Sequence, residues 1–118
     1  MRIYFIIFLL FPAIASADEW TRADTAREVA YQTLAVIDWA QTRNLARHPD
    51  KWYEHNRLLG YHPSVGRVNA YFALTGIAHY AVANVLPSRY RAPFQYVSIG
   101  IEIGAVEHNY SIGISAKF

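Results

Sequence analysis

The chain contains no cysteine among its 118 residues. A disulfide framework, a thiolate metal site and a cysteine nucleophile are therefore excluded. Charge is also scarce, because charged residues make up 17% of the sequence and the formal net charge is only +2. No stripe of alternating basic and aromatic residues compensates for this small charge. Nucleic acid is therefore not an expected partner.

The sequence also lacks the motifs that identify common enzyme classes. Ser64 and Ser98 lie outside any G-x-S-x-G elbow, and there is no glycine loop of the kind that binds phosphate. No HExxH motif occurs, and no two histidines have the four-residue spacing that makes a helical metal site specific. We therefore assign no metal and no cofactor from the sequence, and we leave open whether the protein is an enzyme.

The N-terminus has the pattern of an export signal. Arg2 precedes an apolar run from Ile3 to Leu10, and Ala15-Ser16-Ala17 resembles a small-residue cleavage site. The apolar run is far shorter than the roughly 20 residues needed to span a membrane. We therefore predict a cleaved signal peptide over residues 1–17 and a mature chain of residues 18–118. The expected destination is the bacterial cell envelope, either its membrane or the periplasm.

The mature chain is rich in apolar residues, since 53% of the whole sequence is hydrophobic and 15% is aromatic. This composition is typical of a folded domain rather than a disordered chain. Apolar residues at helical spacing predict a first helix from Thr25 to Arg47, with Thr25 and Glu28 placed as a capping box. Pro49 ends this helix. A long irregular segment, residues 48–64, follows.

Two further helices complete a predicted all-α, three-helix bundle. Ser64 is placed to cap a second helix, which runs through Val68 to Leu86 and ends at Pro87. Pro93 is well suited to the first position of a third helix, which extends to Asn109. The mature chain is therefore expected to form one small helical domain.

The last part of the sequence also permits a strand interpretation. Apolar and polar or small residues alternate from Tyr96 to Gly104, and a second alternation runs from Tyr110 to Phe118. Gly100 and Gly104 weaken the case for a helix. Two helices followed by a C-terminal β-hairpin are therefore the alternative fold.

The second predicted helix raises the question of membrane insertion. Its length from Val68 to Leu86 suffices for one crossing, but it contains Asn69, His79 and Asn84. A transmembrane helix and a helix lying against the membrane both remain open, and lipid is the expected partner. Four small residues on this helix would allow a protein partner or a second copy to approach closely. These residues are Ala70, Ala73, Gly76 and Ala83.

Polar residues within the predicted helices are the candidates for a functional site. Because residues three, four and seven positions apart share a helix face, we expect the polar groups of the three helices to meet in one buried cluster. The expected members are Asp38, Gln41, Thr42, His79, Glu102, His108 and Asn109. Such a cluster has two interpretations, a metal or proton site and a network of hydrogen bonds that fixes helix register. The second interpretation is favoured because no specific metal-ligand spacing is present.

Three segments carry a resemblance to a known group of proteins. They are D-W-A-Q-T-R at 38–43, E-H-N-R-L-L-G-Y-H-P-S at 54–64 and R-V-N-A-Y-F at 67–72. Together they resemble small uncharacterised envelope proteins of Gram-negative bacteria and their phages, over a range from Thr25 to Asn109. The resemblance implies a helical, membrane-associated protein and brings no established activity. Where the pattern has proline after Asn56, this chain has Arg57.

Three classes of function follow from these observations. The first is a membrane-associated envelope component with a structural or interaction role. The second is a membrane or periplasmic metal-dependent enzyme that uses Asp38, His79 and Glu102. The third is a soluble periplasmic binding module.

Overall fold

A computed structural model describes residues 19–118. The described chain is all-α, as predicted, with helices α1 (Arg22–Ala46), α2 (Val65–Val85) and α3 (Ser88–Ser111). Residues 47–64 join α1 to α2 without forming a helix or a strand. The predicted signal peptide, residues 1–17, lies outside the described residues.

Helix α1 begins three residues earlier than predicted. Thr21 caps it, because its hydroxyl accepts the N–H of Asp24 at 3.1 Å while the Asp24 carboxylate accepts the N–H of Thr21 at 2.9 Å. This reciprocal pair is the capping box, and the predicted pair of Thr25 and Glu28 is not. Thr25 instead accepts a hydrogen bond from the indole of Trp20 at 2.7 Å.

Helix α2 is capped by Ser64, as predicted, since the Ser64 hydroxyl accepts the N–H of Arg67 at 3.1 Å. Helix α3 follows after only Leu86 and Pro87, so it begins five residues before the predicted start at Pro93. Pro93 lies inside the helix rather than at its first position. The carbonyl of Arg89, four residues earlier, therefore receives no helical hydrogen bond from it.

The alternative β-hairpin is wrong, because residues 96–111 are helical and the described residues contain no strand. Helix α3 ends at Ser111, and Gly113 follows two residues later with a positive φ of 91°, a conformation that favours glycine. The N–H of Ile114 then bonds to the carbonyl of Asn109 at 2.9 Å, and the Ile114 side chain is fully buried. The alternating residues of the tail are therefore the end of a helix and the irregular segment that follows it, and they do not form a strand.

Helix α1 lies at the centre of the bundle, since α2 and α3 both pack on it and hardly touch each other. Close contact with α2 is possible because Gly76 has no side chain, and its carbonyl accepts a hydrogen bond from Gln32 at 2.9 Å. A Cβ atom at Gly76 would lie 3.1 Å from the Gln32 side chain. Gly76 and the buried Ala83 therefore belong to the interior, whereas Ala70 and Ala73 are exposed.

The interior of the bundle is unusually polar. On α1 the buried residues recur every three or four positions, as expected for a helix face that meets a partner. They include Asp24, Glu28, Tyr31, Ala35, Asp38, Thr42 and Leu45. On α3 the two fully buried side chains are Arg91 and Gln95. Hydrogen bonds between side chains therefore join α1 to α3, for example from Arg91 to Asp24 and from Asn109 to Asp38.

The outer faces of α2 and α3 are apolar. Leu74 and Ile77 on α2 are each 68% exposed, and Val97 and Ile101 on α3 are 63% and 66% exposed. None of the helices within residues 19–118 has the combination of length and apolar character needed to cross a membrane.

Candidate functional site

Two carboxyl groups meet where the C-terminal half of α1 packs on α3. Asp38 of α1 and Glu102 of α3 share a side-chain hydrogen bond. Asp38 also accepts hydrogen bonds from the Thr42 hydroxyl at 3.2 Å and from the Asn109 amide at 3.1 Å. Asp38 therefore has three hydrogen-bond partners. Glu102 is held by its hydrogen bond to Asp38.

Gln41 and Asn109 hold this pair in register. The Asn109 amide donates to the Gln41 side-chain oxygen at 3.0 Å as well as to Asp38. The Gln41 amide in turn donates to the backbone carbonyl of Val106 at 3.3 Å. Because Gln41 is fully buried, any sliding of α3 along α1 would leave its polar atoms without partners.

Burial changes the acid–base properties of the carboxyl pair. Desolvation raises the pKa of Asp38, although hydrogen bonds from Glu102, Thr42 and Asn109 oppose the rise. Desolvation, together with the charge of Asp38 and the shared hydrogen bond, raises the pKa of Glu102 to about 8. At neutral pH the pair therefore holds one proton between two carboxyl groups, as closely spaced carboxyl groups do.

A cavity of about 300 Å³ opens beside this pair. Its walls come from α1, α3, the start of α2 and residues 53–59 of the connecting segment. That segment is ordered locally, because the rings of Tyr53 and Tyr61 stack at 4.5 Å and the Asn56 amide donates to the Tyr71 hydroxyl at 2.8 Å. Within this segment the side chain of Leu59 is buried, whereas that of Leu58 is 72% exposed.

The structure brings together five of the seven residues predicted to form one polar cluster: Asp38, Gln41, Thr42, Glu102 and Asn109. His108 lines the cavity, is exposed to solvent, and has its ring 5.9 Å from that of His55. His79 is not part of this cluster.

His79 belongs to a separate buried pair near the other end of α1. Its Nδ1 lies 2.8 and 2.7 Å from the two carboxylate oxygens of Glu28. The imidazole ring is stacked between Tyr31 and Phe94, at centroid distances of 3.5 and 4.6 Å. Since Glu28 lies ten residues before Asp38, the two sites are about 15 Å apart along the helix. The expected combination of Asp38, His79 and Glu102 therefore does not form.

Arg91 forms a third buried polar group that sequence reasoning missed. Its guanidinium donates to the Asp24 carboxylate at 2.9 Å and to the carbonyl of Ala83 at 2.6 Å, and it also reaches the carbonyls of Asn84 and Leu86. Burial alone would raise the pKa of Asp24, but hydrogen bonds from Thr21 and Arg91 hold it below its usual value. This arrangement is structural, because Arg91 satisfies carbonyls at the end of α2.

A spacing in the sequence could have revealed this third group. Arg91, Gln95, Ser98 and Glu102 follow one another at intervals of four, three and four residues, which places polar groups along one face of α3. The Gln95 amide donates to the carbonyl of Asp24 at 3.0 Å, and its oxygen accepts from Arg27 at 2.8 Å.

The chemistry available at the cavity is proton exchange and binding of positively charged groups. Glu102, with its pKa near 8, can donate or accept a proton near neutral pH. In the described part of the chain, no three His, Cys, Asp or Glu residues are arranged to hold a metal ion. No family model matches this sequence, and no curated protein or solved structure matches it.

Proposed function

We propose that this chain is a small exported envelope protein that associates with membrane lipid and has a structural or interaction role. One observation carries the proposal, namely that many polar side chains lie inside the bundle while many large apolar side chains lie on its surface. The face of α1 that meets α3 is largely polar, whereas large apolar side chains on α2 and α3 point outward. Such a distribution suits a protein whose surroundings are themselves apolar.

The apolar exposure is distributed over two helices. Leu74 and Ile77 lie on α2, Val97 and Ile101 lie on α3, and these helices hardly touch each other. A second copy of the chain would cover one such face, whereas a lipid surface can contact several. Exposed tyrosines also accompany these residues, since Tyr80 and Tyr96 are 53% and 62% exposed. Tyrosine is favoured where an apolar layer meets water.

Two sequence features support the same proposal. The predicted signal peptide would deliver the chain to the envelope. The resemblance of residues 38–72 to small envelope proteins favours the same location. Both features remain predictions.

Vesicle flotation tests the proposal. The purified protein is expected to float with phospholipid vesicles, and the double variant Leu74→Glu, Ile77→Glu is expected to float much less. Burying a leucine or isoleucine contributes about 1.5–3 kcal/mol, so the double variant should lower the partition coefficient at least about 100-fold. Leu58→Glu is the matched control, because Leu58 is 72% exposed but lies outside the helices.

The two outcomes that contradict the proposal are distinct. A wild-type protein that stays at the bottom of the gradient would show that lipid is not its partner. Equal flotation of the double variant and the Leu58→Glu control would show that the apolar face of α2 is not the contact surface.

A further inference from the structure

The cavity beside Asp38 and Glu102 carries an uncompensated negative charge. Three carboxyl groups line it, because Glu54 of the connecting segment joins Asp38 and Glu102. None of the described residues that line the cavity is lysine or arginine. An anion would therefore be repelled, and a cation would be attracted.

One carboxylate oxygen at the cavity has no hydrogen-bond donor other than the neighbouring carboxyl group. Glu102 Oε2 is buried, and apart from Asp38 no residue in the described part of the chain bonds to it. Once the pair loses its proton, this buried oxygen has no donor, which is unfavourable.

We propose that this cavity binds a small primary ammonium compound, with Asp38 and Glu102 as its anionic partners. A primary ammonium group supplies the hydrogen-bond donors that Glu102 lacks, which a quaternary ammonium group does not. Tyr53, Tyr71 and Phe72 line the cavity and provide apolar surface for a short carbon chain. The site does not depend on the proposed association with lipid.

The ligand competes with a proton. When Glu102 is protonated, the pair carries one negative charge, and when the proton leaves, the pair carries two. Affinity for an ammonium ion should therefore rise as the pH increases toward 8 and level off above that value. Other titratable groups also face Glu102, from every element around it. They are Tyr31 and Asp38 of α1, Tyr71 of α2, His108 of α3, and Tyr53, Glu54 and His55 of the connecting segment.

Methyl NMR titration with n-butylamine tests the site. Leu59, Ile101 and Ala105 line the cavity and supply methyl reporters. An alkylammonium keeps its charge up to about pH 10, as the lysine side chain does. We expect the apparent Kd for n-butylamine to fall at least about tenfold between pH 6.5 and pH 9. The neutral analogue 1-butanol and the donorless cation tetramethylammonium should bind at least about tenfold more weakly at pH 9.

Glu102→Gln keeps the shape of the side chain and removes its charge. This variant should weaken binding of n-butylamine at pH 9 at least about tenfold and abolish the pH dependence. Glu107→Gln is the matched control, since Glu107 is an exposed residue of the same helix, and its effect should stay within about twofold. If Glu102→Gln disturbs the whole methyl spectrum, Asp38→Asn should show the same loss of binding.

Equal binding of n-butylamine and 1-butanol would overturn the proposal, as would unchanged binding in a folded Glu102→Gln variant. Vesicles then distinguish the source of the ammonium group. Stronger retention by vesicles that contain phosphatidylethanolamine than by phosphatidylcholine alone, lost in Glu102→Gln, would assign a lipid headgroup. Equal retention together with binding of n-butylamine would assign a free amine. Failure of flotation would leave the methyl titration interpretable, so the two proposals fail separately.

Discussion

Replacing Glu102 by glutamine should make the protein more stable at alkaline pH. In the folded chain Glu102 holds its proton more tightly than the usual carboxyl group, because burial and the charge of Asp38 raise its pKa from 4.5 to about 8. The native state therefore binds more protons than the unfolded chain between about pH 4.5 and pH 8. The free energy of unfolding falls as the pH rises through this range.

The size of the effect follows from the same pKa. Each tenfold change in proton affinity corresponds to about 1.4 kcal/mol, so the full change would correspond to about 5 kcal/mol. The Glu102 side chain is only partly buried, and solvent screening reduces the effect to about 1–2 kcal/mol. Glutamine can still donate a hydrogen bond to Asp38, and it introduces no second charge at high pH.

Urea denaturation followed by circular dichroism at pH 5, 7 and 9 measures this difference. The wild type and Glu102→Gln should have similar free energies of unfolding at pH 5, and the variant should be more stable by about 1–2 kcal/mol at pH 9. Glu107→Gln should follow the wild type throughout. A constant loss of stability for Glu102→Gln at all three pH values would refute the reasoning. It would show that removing the Glu102 carboxyl group relieves no repulsion between its charge and that of Asp38.

Two further predictions concern the ends of the helices, and both are measured by urea denaturation. Arg91→Met should lower the free energy of unfolding by about 3–5 kcal/mol, because it leaves Asp24 as a buried charge without this partner, whereas the exposed Arg89→Met should change it by less than about 0.5 kcal/mol. Thr21→Ala should cost about 1 kcal/mol and Thr25→Ala less, and the opposite order would mean that Thr25 caps α1.

The helical class of the fold could be predicted from the sequence, but the limits of α1 and α3 could not. The local pattern favoured Thr25 as the cap of α1, whereas Thr21 is the residue that caps it. Arg91 lies between the second and third predicted helices and was not among the predicted buried polar residues. The spacing of polar residues on α3 indicates a polar face, but it does not identify Asp24, 67 residues away, as the partner that buries Arg91.

The candidate site could be predicted in part for a related reason. Asp38 and Glu102 each lie on a helix face whose spacing is visible in the sequence, and the parallel packing of α1 and α3 brings those faces together. His79 was expected in the same cluster because it lies near the middle of α2. The residue of α1 that it lies beside depends, however, on how the two helices pack. Two contacts fix the position of α2 along α1, namely the bond between Gln32 and Gly76 and the pairing of His79 with Glu28. Residue spacing predicts which side chains share a face of one helix, whereas tertiary packing determines which residues of another helix that face contacts.

The polar seam between α1 and α3 has a consequence for how the chain folds. Its hydrogen bonds join residues 65 to 71 positions apart, for example Gln41 with Val106 and Asn109 with Asp38. Such distant contacts form slowly, because the loop must close before any bond is gained. Until α3 arrives, the inner face of α1 offers mainly carboxylates, amides and hydroxyls, which water can solvate. Before its last helix has packed, the chain would therefore expose a mixed face of α1, in which polar groups separate Tyr31, Ala35 and Leu45, rather than a continuous apolar one.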